Sequence, residues 1–130
     1  MEIQENLILI VDDNINNIRI LSDVMQMQGH SVSVASNGEN ALNELQTISP
    51  DLILLDIMMP TVDGYEVCEY VKQKEGKKHI KVIFLSAKSK PEDIQKGFDV
   101  GADSYMTKPF STRELMKEVN KLTTENNLQH

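Results

Sequence analysis

The stretch "NLILIVDDNINN", Asn6 to Asn17, decides how this chain is read. Five apolar residues in a row, Leu7 to Val11, run straight into two adjacent carboxylates, Asp12 and Asp13. So short an unbroken apolar run is what a strand covered on both faces looks like, as in a parallel sheet. Two like charges at its end repel each other and resist leaving water. Alone, the pair could simply cap the following helix, as Asp often does. Otherwise something elsewhere in the chain must neutralise them.

Working outward, the same kind of run recurs at Leu52–Leu55 and Val82–Leu85. Between the runs lie segments of helical period. Ile15, Ile18, Leu21, Val24 and Met25 mark one, stopped by Gly29; Ala41, Leu42, Leu45 and Ile48 mark a second, stopped near Pro50. Val67, Cys68 and Val71 mark a third, Ile94 and Phe98 a fourth with Pro91 in its first turn, and Leu115, Met116, Val119 and Leu122 a fifth. "HSVSVAS" alternates apolar and polar, and "DSYMTK" is mostly polar, so these two are the edge strands and the three apolar runs are inner. Alternating strands and helices imply a parallel sheet with right-handed crossovers. The expected fold is therefore α/β: five parallel strands with helices on both faces, doubly wound and flavodoxin-like; only a few strand orders satisfy these constraints, and 2-1-3-4-5, one of them, is the order expected here. Residues 1–122 are expected to form this domain, and 123–130 a polar, fraying C-terminal tail.

Composition narrows the function. The chain has 130 residues, enough for one domain with a proper core. Its formal net charge is −7, which disfavours direct binding to nucleic acid or to an anionic membrane. No apolar stretch approaches the roughly 20 residues that span a bilayer. The start, Met-Glu-Ile-Gln-Glu, lacks the features of a signal peptide. With one cysteine, Cys68, no internal disulfide is possible, and a cytoplasmic location is expected. Cys68 lies on an apolar helix face and reads as core; His30, His79 and His130 read as surface or turn residues.

In a parallel sheet, residues just past the strand ends share one rim, where ligands bind. Strand one ends in Asp12 and Asp13, strand three in Asp56, strand four in Ser86, and strand five in Lys108 followed by Pro109. Three carboxylates, a hydroxyl and an ammonium thus converge. A divalent cation and the lysine can hold the carboxylates ionised. The donors are hard oxygens with no His or Cys among them, so Mg²⁺ fits better than zinc. Such a site suits phosphoryl chemistry, with a carboxylate as nucleophile. These residues alone leave open which aspartate that is.

"ILIVDDN" (8–14), "DLILLDIMMPTVDGYEV" (51–67), "VIFLSAK" (82–88) and "GADSYMTKPF" (101–110) each resemble a motif of the receiver domains of two-component response regulators, in order and in register. The likeness spans about residues 6–122. It implies that Asp56 accepts a phosphoryl group from a histidine kinase or histidine phosphotransfer protein in a phosphorelay. It implies that Asp12 and Asp13 hold Mg²⁺, Asp13 directly, with Asp56 and the backbone carbonyl of Met58 completing the ligands. Ser86 and Lys108 would bind phosphoryl oxygens, the Lys108–Pro109 peptide would be cis, and Tyr105 would turn inward on activation. A downstream protein or a dimer partner would read the fourth helix, fifth strand and fifth helix. The resemblance thus implies a cytoplasmic signalling switch rather than an enzyme, limited to self-phosphorylation and slow self-dephosphorylation. Two other readings compete. A phosphatase of the haloacid-dehalogenase kind would need a general acid where Met58 stands, and Met58 transfers no protons. A pseudo-receiver would have lost some of the five chemical positions, all of which are present.

Overall fold

The computed structural model describes residues 6–128. Five strands and five helices alternate along the chain: β1 (Leu7–Val11), α1 (Ile15–Met27), β2 (Ser31–Ala35), α2 (Gly38–Glu44), β3 (Leu52–Leu55), α3 (Gly64–Gln73), β4 (Lys81–Ser86), α4 (Pro91–Asp99), β5 (Ser104–Thr107) and α5 (Thr112–Leu128). The sheet is wholly parallel in the order β2-β1-β3-β4-β5, as expected from the sequence. The unbroken apolar runs are its three inner strands.

Alternation within each strand sorts the core into two layers. Leu9, Val11, Ile53, Leu55, Val82 and Phe84 face one way, against Ala41 and Leu45 and against Val67, Cys68 and Val71 of α3. Ile8, Ile10, Leu52, Leu54, Ile83 and Leu85 face the other way, against Ile18, Leu21 and Met25 of α1 and Leu115, Met116, Val119 and Leu122 of α5. Burial of such side chains contributes about 1.5–3 kcal/mol each, which is what holds helices to both faces.

The helix starts follow local chemistry. Asn14 caps α1 by accepting the Asn16 and Asn17 N–H groups, Asn37 caps α2, and Asp63 forms a capping box with Glu66 at α3. Pro91 opens α4, and Ser111 accepts the Glu114 N–H at α5.

Two sequence readings change. The second helix ends at Glu44, short of Ile48, because its last amides at Gln46 and Thr47 tighten to bonds three residues back. The fifth helix passes Leu122 and continues through Leu128, so the expected tail is helical over its described part; residues 129–130, His130 included, and residues 1–5 lie outside the described residues. Thr123 is buried there, its hydroxyl satisfied by the Val119 carbonyl at 2.8 Å. His30 is a turn residue, in the tight connection from α1 to β2, and is buried there. Cys68 is fully buried as expected; desolvation pushes its thiol up to about 12, so it is an inert core group. Among the described residues no helix is long and apolar enough to cross a membrane.

Candidate functional site

All strands point the same way, so their C-terminal ends gather the expected residues on one rim. Carboxylate oxygens of Asp12, Asp13 and Asp56 all lie within 4.8 Å of one another. Lys108, just past β5, places its Nζ 3.7 Å from Asp12 Oδ2. Its backbone N–H donates to the Ser86 carbonyl at 2.8 Å, which ties the ends of β4 and β5 together. The Lys108–Pro109 peptide is cis. Ser86 is fully buried, and its hydroxyl accepts the Lys88 N–H at 3.1 Å. Tyr105 is half-buried against Phe84, with its hydroxyl donating to the Lys88 carbonyl at 2.7 Å. Met58 leaves its side chain exposed.

The two oxygens of Asp12 are already engaged. Oδ1 accepts the Asn14 N–H at 2.9 Å, and Oδ2 accepts Asn17 Nδ2 at 3.2 Å and faces Lys108. Asp12 is buried, whereas Asp13 is exposed. Asp56, by contrast, is met by the backbone amides of Ile57 and Met58 rather than by Lys108 or a side-chain amide. All three supply hard oxygen, the donor set that Mg²⁺ takes.

Burial lifts the Asp56 carboxyl above its ordinary range, and the Asp12 charge lifts it further; Lys108 and the N–H groups of Met58 and Ile57 oppose the rise. The folded state thus holds that proton more tightly than the unfolded chain does. Stability from this group is present at low pH and is lost as pH rises through the folded pKa. Ionised Asp56 is consequently a liability at neutral pH without a cation. Asp56→Asn should raise the Tm by a few degrees at pH 7 in EDTA. That gain should shrink as pH falls through the folded pKa of Asp56, and it should vanish in millimolar Mg²⁺, which stabilises only the parent. Thermal melts at two pH values with and without Mg²⁺ check this; an equal gain under all conditions would refute it.

Two contributors were not legible as site residues. Asn17 was given no part in the site, yet it orients Asp12; its place one helical turn beyond the capping Asn14 was the available signal. The other contributor is Gly64, in the Asp63–Gly64 turn into α3. A Cβ on Gly64 would lie 2.3 Å from the Asp56 carbonyl oxygen and 2.8 Å from Ile57 Cα. The Gly64 N–H also donates to the Ile57 carbonyl at 2.9 Å, so the helix start lies directly against the Asp56–Ile57 peptide. Glycine at the first helical position, straight after a strong cap, was the hint of a close approach. Beside Asp12 and Lys108 a cleft of about 280 Å³, walled by Ile20, Leu21 and Phe110, opens between α1 and the start of α5.

Comparison with known proteins gives a consistent result. The family described as "Response regulator receiver domain" matches residues 8–120. The alkaline phosphatase synthesis transcriptional regulatory protein PhoP of Bacillus subtilis is 43% identical over 112 residues, 86% of this chain and 46% of PhoP. A probable cyclic di-GMP phosphodiesterase of Vibrio cholerae is 45% identical over 112 residues, 86% of this chain and 25% of that protein. The solved structure of the BeF3-activated DrrB receiver domain superposes with a TM-score of 0.84 at 34% identity, over 92% of this chain and 97% of that one. The chain spans about half the length of PhoP and less of the phosphodiesterase.

Proposed function

The chain belongs to the response regulator receiver family, and we propose that it is a phosphorylation switch in which Asp56 takes a phosphoryl group from the phosphohistidine of a histidine kinase or phosphotransfer protein. Receiver domains are signalling switches rather than enzymes in the ordinary sense. The observation that carries the reading is the rim itself: three carboxylates within 4.8 Å of one another and an ammonium 3.7 Å from one of them, brought together from β1, β3 and β5.

In the transfer, an Asp56 carboxylate oxygen forms the new P–O bond while the donor's P–N bond breaks. The bonding pair leaves with the imidazole. A bound Mg²⁺ would neutralise phosphoryl oxygens as charge moves onto Asp56. Asp13, Asp56 and the Met58 carbonyl would hold it directly, with Asp12 acting through water because Asn14, Asn17 and Lys108 already occupy its oxygens. The Ile57 and Met58 amides keep the acceptor oriented. Lys108 would leave Asp12 for a phosphoryl oxygen. The Ser86 hydroxyl, an acceptor for Lys88 and a neighbour of the Tyr105 hydroxyl, would turn its proton to another.

The new group carries about −1.5 to −2 charge. Drawing Ser86 toward it pulls on Lys88, and Lys88 is bonded in turn to Tyr105. The surface of α4, β5 and α5 is the face that a downstream protein or a second copy would read. A net charge of −7 weighs against direct contact with nucleic acid, and a lone buried cysteine fits work in the reducing cytoplasm.

Intact-mass spectrometry after incubation with Mg²⁺ and acetyl phosphate tests the reading. One added phosphoryl group is expected in the parent, none in Asp56→Asn, and none with EDTA. Label that persists in Asp56→Asn would move the acceptor elsewhere. Absence of both label and Mg²⁺ binding would favour a pseudo-receiver.

A further inference from the structure

Helix α4 has one buried residue, and that residue is Gly97. Glycine is among the poorest helix formers, and nothing about α4 requires an unusual backbone there. Its role is read from what a side chain would meet. A Cβ on Gly97 would lie 2.8 Å from Tyr105 Cδ2, 3.1 Å from Tyr105 Cε2 and 3.2 Å from Phe84 Cδ2. The helix therefore approaches the Tyr105 ring more closely than a residue with a Cβ permits without a shift.

The surroundings say which group would yield. Phe84 is fully buried on the inner strand β4, with the Tyr65 ring edge-on at 5.6 Å. Tyr65 is itself fixed, with its hydroxyl on the Asp93 carbonyl at 3.0 Å and Lys96 Nζ 4.5 Å over its ring. Tyr105 lies on the edge strand β5 and is only half-buried. It alone has an open side to swing toward. Swinging out would break the 2.7 Å bond from its hydroxyl to the Lys88 carbonyl. That bond is one half of a two-bond chain, Ser86 Oγ to Lys88 to Tyr105.

We propose that Gly97 is the positioning residue for Tyr105: its missing side chain is what lets the ring stay seated against Phe84 and bonded to the loop that carries Ser86. Its meaning for signalling rests on the phosphorylation-switch reading above. The steric statement does not.

A double-mutant cycle separates the two. Parent, Gly97→Ala, Tyr105→Ala and the double variant are compared by thermal melting. Ring resonances of tyrosine-labelled protein are followed by NMR, with Tyr105 identified through its absence in Tyr105→Ala. Phosphoryl uptake from acetyl phosphate is measured by intact mass. Gly97→Ala should lower the Tm of the parent by a few degrees and move the Tyr105 ring signals to solvent-exposed positions. It should leave phosphoryl uptake within about twofold, because Gly97 touches none of the rim carboxylates. In the Tyr105→Ala background the same substitution should raise the Tm, since the two closest contacts are gone, only the 3.2 Å approach to Phe84 Cδ2 remains to be eased, and alanine is the better helix residue. The reversal of sign is what a merely structural glycine would not produce. Equal Tm changes in both backgrounds, or unmoved Tyr105 signals in Gly97→Ala, would overturn the proposal. A parent that neither takes up a phosphoryl group nor binds Mg²⁺ would instead overturn the reading of Asp56, a result on which the melting cycle does not depend.

Discussion

Gly64→Ala should destabilise the domain by about 3 kcal/mol and slow phosphoryl uptake roughly 100-fold. The added methyl would sit 2.3 Å from the Asp56 carbonyl oxygen, 2.8 Å from Ile57 Cα and 3.0 Å from the Asp56 carbonyl carbon. All three atoms are backbone, so no side chain can rotate aside. Either α3 backs away, breaking the Gly64 to Ile57 bond and disturbing its capping box, or the Asp56–Ile57 peptide moves. The second course displaces the acceptor together with the Ile57 and Met58 amides that orient it. An ångström at a reacting carboxylate is enough for a hundredfold loss. Urea unfolding and a time course of intact mass read the two effects. Parent-like stability and rate in Gly64→Ala would show that the loop absorbs the methyl elsewhere, contrary to the contacts described.

Asp103→Ala should cost about 3 kcal/mol of stability while leaving Mg²⁺ affinity and phosphoryl uptake near parental values. The Asp103 carboxylate takes the Lys72 ammonium at 2.8 Å and the Val82 N–H at 2.9 Å, with Lys81 at 3.9 Å. Lys72 also donates to the Ile80 carbonyl at 2.6 Å, so a single node joins the end of α3, the start of β4 and the approach to β5. The side chains of Lys72 and Asp103 are only 17% and 23% exposed, so the pair is screened less than a surface ion pair. Truncation strands a mostly buried ammonium and an amide of an inner strand. Asp103→Asn, which still offers Val82 an acceptor, should cost about half as much. The node lies at the opposite end of β5 from Lys108, roughly 15 Å along the strand. Stability should therefore fall without the chemistry following it. A parallel loss of phosphoryl uptake in folded Asp103→Ala would show that the two ends of the sheet are coupled.

These two residues mark where reading the sequence stops. Asp103 and Gly64 both lie inside recognised motifs, yet neither stood out. Asp103 looked like one more polar residue of a weak edge strand. Its worth comes from Lys72, 31 residues away, and from an amide on β4. The pattern at Thr123 was equally silent, because a polar residue that satisfies itself on the carbonyl one turn back can be buried without any apolar signal.

What the chain determined by itself was the topology and, through it, the place of the chemistry. Continuous apolar runs mark strands covered on both faces and interrupted ones mark edges, so burial placed β1, β3 and β4 inside and β2 and β5 outside, which left a few doubly wound orders, the observed β2-β1-β3-β4-β5 among them. Once the strands are parallel, residues at their C-terminal ends must share a rim, and Asp12, Asp13, Asp56 and Lys108 were assigned to it without any coordinate. Periodicity can do this because it reports which face of an element is buried. It does not report distances between particular atoms. The tertiary structure alone decided that Asn14, Asn17 and Lys108 occupy the oxygens of Asp12, that Lys88 links Ser86 to Tyr105, and that Gly64 and Gly97 are seats for a peptide and a ring. Glycine has no side chain to enter a pattern, so its meaning lies in the neighbour that packing brings against it.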